Sequence, residues 1–319
     1  MATICAMLLQ SQGNDITLWS AFPDYARQLA ETRENTKYLA GFSIPSEVTV
    51  TADAKTAMAD PQVVISAVPC QYMRGVWEEL AALAPPDALY VSVTKGIEND
   101  TLLRPCQILE QILGPVRVVA LSGPSIAREV ARALPASVVA ASADLADAEQ
   151  VQTLFSSPSL RVYTNDDIVG VELAGAMKNV IALAAGVIDG INAGDNAKAA
   201  LLTRGLVEIT RLGVALGARA QTFAGLAGLG DLVTTCISPH GRNRRLGELI
   251  GKGMSAEEAS KTMNSVVEGV ATTESVVALA KRYQVQMPIT EAVYQVIFEG
   301  KSPRQAIHEL MVREPKGEF

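Results

Sequence analysis

The hydrophobic pattern changes period near the middle of the chain, and that change predicts its organisation. Before it, residues 15–19, 48–50, 63–68, 89–93 and 116–121 read as strands. Several are nearly continuous apolar runs, the pattern of strands covered on both faces in a parallel sheet. Residues 136–141 and 160–163 add two more strands toward a far edge. Helical spacing occupies residues 23–33, 73–83 and 102–113 between them. The alternation predicts a doubly wound, Rossmann-like α/β domain. From about Ile168 the strand signal fades, and residues 196–216, 255–262, 272–283, 290–299 and 302–311 follow as helices, most of them separated by Gly or Pro. Ser302-Pro303 opens the last one as a cap with proline at the first helical position. The expected domains are residues 1–165, α/β and dinucleotide-binding, and residues 166–319, all-α and substrate-binding.

The opening is out of step with such a domain. A dinucleotide-binding sheet begins with a strand, a glycine-rich turn and a helix whose N-terminus holds the pyrophosphate. Residues 1–9 read as the inside of that helix, followed by Gly13 and the strand ending at Trp19. The first strand and its glycine turn are therefore expected to be missing from this sequence, with dinucleotide binding weakened.

Composition narrows the partners. Hydrophobic residues make up 49% of the 319 and charged ones 19%, which predicts an ordered, compact chain. The net charge of −7 argues against nucleic acid or an anionic membrane as the main partner. Cys5, Cys70, Cys106 and Cys236 lack paired spacing and there are only two histidines, His240 and His308, so a reducing cytoplasm and no metal site are expected. No uninterrupted apolar run reaches the ~18 residues of a membrane helix, and residues 1–9 lack the basic flank of a signal peptide. Trp19 and Trp77 read as core residues.

Lys178 is the most informative position for chemistry. It sits in a run of small and apolar residues, and a helix there places Val171, Ala174, Gly175, Ile181, Ala182 and Ala185 beside it on one face. An ammonium in that setting is held by a partner from another segment, or is pushed by desolvation toward the neutral form that serves as a general base. The alternative is a structural lysine that snorkels or closes an ion pair.

Three loops follow strands on the α/β side. Thr94-Lys95-Gly96 places Lys95 at a strand's carboxyl end, where ligands of open α/β sheets gather. Ser122-Gly123-Pro124-Ser125 offers a tight turn and a hydroxyl, and Val68-Pro69-Cys70-Gln71 ends another strand. Ordinary connections would look similar. In the helical half, three glycines precede Asp231 within residues 225–231, which permits close backbone approach and a held carboxylate, or a simple N-cap. Gly241-Arg242-Asn243-Arg244-Arg245 is the densest basic cluster; Arg242 and Asn243 suit a phosphate or carboxylate, while Arg244 and Arg245 read as solvated. Val266-Val267-Glu268-Gly269 sets a carboxylate at a glycine turn, to contact a cofactor or cap the next helix.

Taken in order, Val93-Thr94-Lys95-Gly96, Leu121-Ser122-Gly123-Pro124-Ser125, residues 175–180, residues 226–232, Arg242-Asn243-Arg244 and Val267-Glu268-Gly269 resemble the bacterial-type NAD(P)-dependent glycerol-3-phosphate dehydrogenases from Met1 to about Arg313. The resemblance implies hydride transfer between NAD or NADP and the middle carbon of glycerol 3-phosphate or dihydroxyacetone phosphate, in support of glycerophospholipid synthesis. It implies Lys178 as proton acceptor. Substrate contacts are implied at Lys95, Gly123, Ser125, Lys178, Asp231, Gly241, Arg242 and Asn243. Cofactor contacts are implied at Lys95, Ala127, Arg242, Val266, Glu268, Pro69 and Gln71. Two positions depart from the family. Gly241 stands where a serine is usual, removing a hydroxyl donor, and Ala21 stands where a His or Arg commonly meets the adenosine end. A non-catalytic phosphometabolite binder and a β-hydroxy acid dehydrogenase of the same architecture are the alternatives. A homodimer is expected from the apolar helical half.

Overall fold

In a computed structural model of the chain, residues 1–263, 266–315 and 317–318 are described. Two compact units emerge, Met1–Lys95 with Leu103–Glu172, and Gly96–Leu102 with Leu173–Phe319.

The first unit holds the strands β1 (Thr17–Trp19), β2 (Thr49–Thr51), β3 (Val63–Ser66), β4 (Leu89–Ser92), β5 (Arg117–Ser122), β6 (Ala136–Ala141) and β7 (Leu160–Asn165). Its helices are α1 (Ala2–Gln10), α2 (Pro23–Thr32), α3 (Thr36–Leu39), α4 (Ala54–Ala57), α5 (Cys70–Leu80), α6 (Pro105–Leu113), α7 (Ala127–Ala131) and α8 (Leu145–Phe155). All strands expected from the sequence form, and the unit is Rossmann-like, but the ladder is divided. β1 pairs only with β2, while β3 to β7 make a five-stranded sheet in sequence order. The opening helix contributes to both parts: Cys5 and Leu9 pack with Leu89, Val91 and Val119, and Ala6 packs with Leu18 and Leu29. β6 runs antiparallel to β5, and the other neighbours run parallel. The β5–β6 connection carries one five-residue helix. That is too little to lie along the sheet as a crossover, so the chain reverses instead.

α9 (Ile168–Gly190) leads into the second unit, and α10 (Asp195–Ala215), α11 (Ala220–Phe223), α12 (Asp231–Ile237), α13 (Arg242–Gly251), α14 (Ala256–Lys261), α15 (Glu268–Tyr283), α16 (Pro288–Phe298) and α17 (Pro303–Met311) follow. Asp167 starts α9 by accepting the Gly170 N–H at 2.9 Å, an aspartate cap. Contrary to the count of uninterrupted apolar residues, α9 is long and apolar enough to cross a membrane, with a mean hydropathy of 1.6 over its best window. Lys178 interrupts the run without making the helix polar overall. The same window is 83% buried in the fold, as for a core helix.

α9 and α13 touch backbone to backbone. A Cβ on Gly186 would run into the Arg244 carbonyl, and one on Gly251 would come within 2.5 Å of the Val187 carbonyl oxygen. Gly190 and Gly247 are equally closed by Glu248 and Leu183. Glu208 on α10 is buried, and its carboxylate accepts the N–H groups of Ile289 at 2.9 Å and Thr290 at 2.8 Å, capping α16. Burial raises its pKa, against the pull of those two bonds.

Candidate active site

In the helical unit the chemistry gathers around one turn of α9. Lys178 is 5% exposed. Its ammonium lies 3.2 Å from Asp231 Oδ1 and donates to Thr235 Oγ1 at 2.5 Å. The Thr235 hydroxyl in turn donates to Asp231 Oδ1 at 3.3 Å. Of the two settings open to a lysine on this face, the structure realises the first, a partner from another segment. Asp231 and Thr235 are four apart on α12, so one helical face presents both to the amine.

Asp231 is not a cap. Gly230 holds the N-cap position of α12 and Asp231 is the first residue of the helix itself, and the preceding glycines form a π-helical turn, Leu226–Gly230, that runs straight into α12. Gly228 lies so close to the Phe223 backbone that any side chain would overlap it. The glycines thus serve the close approach expected of them, and Asp231 pairs with Lys178.

The neighbouring residue, Asn179, builds a second contact. Asn243 Nδ2 donates to Asn179 Oδ1 at 2.9 Å, and the Gly269 N–H donates to Asn243 Oδ1 at 3.0 Å. α9, α13 and α15 meet here. A Cβ on Gly269 would come within 2.6 Å of Asn243 Oδ1 and 2.8 Å of the Asn179 carbonyl, which is why glycine follows Glu268. The expected glycine turn is not one, since Glu268 opens α15 and Gly269 is helical. Arg242 is exposed and donates to the Val266 carbonyl at 3.0 Å. Gly241, Arg242 and Asn243 together form the start of α13.

Arg244 corrects the expectation of a solvated side chain. Its Nε and Nη2 lie 2.7 and 2.6 Å from Asp189 Oδ2, and only 18% of the side chain is exposed. Lys198 pairs with the same carboxylate. Arg245 is exposed. Cys236, one residue past Thr235, is a buried thiol pushed up to about 12 by desolvation, so it carries no nucleophile.

In the α/β unit, β3, β4 and β5 run parallel with Ser66 beside Ser92 and Ser92 beside Ala120. The loops after them leave from one carboxyl edge, where an open α/β sheet holds its ligand. Lys95 Nζ and Ser125 Oγ each donate to the Gly123 carbonyl at 3.0 Å, and Thr94 Oγ1 donates to the Val68 carbonyl at 2.7 Å. Gly123 has φ +136°, and a Cβ there would sit 3.0 Å from Val138 Cα, so only glycine suits this turn. Pro69 holds the N-cap position of α5, Gln71 lies in its first turn, and Ala127 opens α7. Lys95, Gly123 and Ser125 are thereby brought together, and a cation between strand-end loops fits the anionic part of a dinucleotide or its substrate. Of the tryptophans, Trp77 is core, whereas Trp19 is half-buried.

Thr235 and Asn179 escaped the sequence reading as functional positions. The signal for Thr235 was its i+4 spacing from Asp231, and for Asn179 its place beside Lys178 at the contact of three helices.

A Rossmann-like unit is followed along the chain by a helical unit that buries an amine against a carboxylate, groups suited to proton transfer. Residues 2–148 match the sequence profile of the NAD-dependent glycerol-3-phosphate dehydrogenase N-terminus, and residues 167–308 match that of its C-terminus. The chain belongs to the NAD-dependent glycerol-3-phosphate dehydrogenase family. It is 48% identical over 320 residues to the glycerol-3-phosphate dehydrogenase [NAD(P)+] of Chlorobium phaeobacteroides (strain BS1), covering 99% of this chain and 96% of that protein. It is 50% identical to the enzyme of Geobacter metallireducens, covering 99% and 95%. Among solved structures, the glycerol-3-phosphate dehydrogenase of Coxiella burnetii superposes with a TM-score of 0.94 at 35% identity, covering 98% of this chain and 95% of that one.

Proposed function

We propose that the chain is an NAD(P)-dependent oxidoreductase that interconverts dihydroxyacetone phosphate and sn-glycerol 3-phosphate, supplying glycerophospholipid synthesis in the cytoplasm. The observation that carries the reading is the Lys178–Asp231–Thr235 cluster in a chain nearly half identical to such enzymes over its whole length. The nicotinamide, when bound, supplies or accepts the hydride at the middle carbon. Lys178 gives a proton to the oxygen of that carbon in reduction and takes it back in oxidation. Asp231 and Thr235 fix the direction of the amine, and the Asn179–Asn243–Gly269 contact fixes the helix that carries it. Roles in substrate binding fall to Lys95, Gly123, Ser125, Asp231, Gly241, Arg242 and Asn243. Arg242, with a planar fork of donors, suits the phosphate. Roles in holding the dinucleotide fall to Lys95, Pro69, Gln71, Ala127, Arg242, Val266 and Glu268. Neither a bare phosphometabolite binder nor a β-hydroxy acid dehydrogenase is favoured.

The deciding test is oxidation of NADH and NADPH by the purified chain with dihydroxyacetone phosphate, against an unphosphorylated β-keto acid as control. Turnover with the phosphate ester alone is expected. Turnover with the keto acid alone, or tight glycerol 3-phosphate binding without any turnover, would overturn the reading. The apolar helical unit supports a homodimer, which sedimentation at micromolar concentration checks; a monomer would refute it.

A further inference from the structure

Gly241 is the N-cap residue of α13, in the turn that follows α12. Gly241 has φ −70° and ψ 114°, extended backbone open to any L residue. Conformation therefore does not require glycine here. Space does: a Cβ would lie 2.9 Å from the Thr235 carbonyl oxygen, 3.4 Å from the Ser238 carbonyl oxygen and 3.5 Å from Arg244 Cβ. The nearest of these is helical backbone in α12, which cannot swing aside as the end of a long side chain does.

Thr235 is also the residue whose hydroxyl lies 2.5 Å from Lys178 Nζ and 3.3 Å from Asp231 Oδ1. Its carbonyl and its hydroxyl hang on one Cα, so a shift forced on the first moves the second. The start of α13 is held on its other side by the Asn243 bonds to Asn179 and Gly269, and by the backbone contact of Gly247 with Leu183. With α13 so anchored, α12 is the side that yields.

We infer that Gly241 is a positioning residue, whose missing side chain lets the turn before α13 close onto α12 and holds the Thr235 hydroxyl against Lys178. A serine in this chain acts as a wedge and not as an added substrate donor. The inference rests on the proposed role of Lys178 as proton carrier.

The test compares Gly241→Ala and Gly241→Ser with the parent chain in kcat, KM for dihydroxyacetone phosphate, the pH profile of kcat and the thermal midpoint. Both variants should lose roughly five- to fiftyfold in kcat, in line with the cost of sub-ångström misplacement of a reacting group, with KM nearly unchanged and a displaced pH profile. A purely structural role would lower the midpoint and leave that profile in place. Lower KM in Gly241→Ser with kcat and pH profile intact, alongside a neutral Gly241→Ala, would overturn the inference and make the serine a substrate donor. A readout free of turnover separates this inference from the function proposed above. The Lys178 Nζ resonance in 15N-lysine-labelled protein, assigned with Lys178→Arg, should move in both variants. An unmoved resonance refutes the positioning role even if the parent chain turns over dihydroxyacetone phosphate, whereas a silent parent with a moved resonance refutes only the reaction.

Discussion

Replacing Asp231 by Asn removes a charge while keeping volume and an acceptor for Thr235, so it isolates the electrostatic part of the Lys178 cluster. At the observed 3.2 Å, Coulomb attraction with an effective dielectric of about 20 is about 5 kcal/mol. The loss has a ceiling, because a lysine stripped of its carboxylate can fold without its proton. Giving up that proton at pH 7 from an unfolded pKa of about 10.4 costs about 4.6 kcal/mol. Breaking a buried pair by removing one partner typically costs about 3–5 kcal/mol. We therefore expect Asp231→Asn to lose about 3–4.5 kcal/mol at pH 7. The sign of the pH dependence follows from linkage: a lysine whose folded pKa is depressed in the variant binds fewer protons than when unfolded, so the variant regains stability as pH rises toward the unfolded pKa. By pH 9 the ceiling falls to about 1.9 kcal/mol. Urea unfolding at the two pH values, followed by circular dichroism, measures this. Fluorescence would report the wrong unit, since Trp19 and Trp77 both lie in the α/β unit. A Lys178→Met, Asp231→Leu double-mutant cycle isolates the pairwise energy. A loss below about 1 kcal/mol, or one that does not shrink at pH 9, would refute the buried-pair account.

Two other changes probe the helical unit. Gly247→Ala should cost about 1–3 kcal/mol by overpacking and lower kcat as well, since Asn243 lies one turn upstream; thermal unfolding with parallel kinetics checks both, and a neutral variant would refute the backbone contact. Glu208 has a raised folded pKa, so its contribution is complete below the unfolded value of about 4.3 and is lost as pH rises through the folded one. The stability difference between parent and Glu208→Gln should therefore be wider at pH 5 than at pH 7.5, and a constant difference in urea midpoints would contradict that.

The strands were legible because residues such as Val63–Ser66 and Leu89–Ser92 are apolar almost without break, and burial on both faces of a sheet leaves that mark. α9 was legible from the small residues around Lys178. α8 was not, because its buried positions, Asp147, Ala148, Val151 and Phe155, mix an acid and a small residue with two larger apolar ones and so give a weak period. The antiparallel turn into β6 goes with a connection whose one helix is five residues long, which residue pattern alone does not reveal. At the site, Lys178, Asp231, Arg242 and Asn243 stood out as polar residues in unusual company. Thr235 did not, since a threonine on a helix is unremarkable until α12 is seen packed against α9. Glycine was read correctly in one place and not in another: the run containing Gly228 suggested close backbone approach and makes it, whereas Gly269 suggested a turn and is a helical position of close approach.

That last point bears on how this protein can be re-engineered. The register of α13 on α9 is keyed by Gly186, Gly190, Gly247 and Gly251, positions that present no functional group to any ligand. A library meant to broaden substrate range would ordinarily hold the polar residues fixed and randomise the rest. Here the opposite allocation is the productive one. Exposed polar positions without a proposed role, such as Arg245, can be varied one at a time without dismantling the scaffold, whereas a single methyl group at any of the four glycines would shift the rail on which Lys178 and Asn243 are aligned.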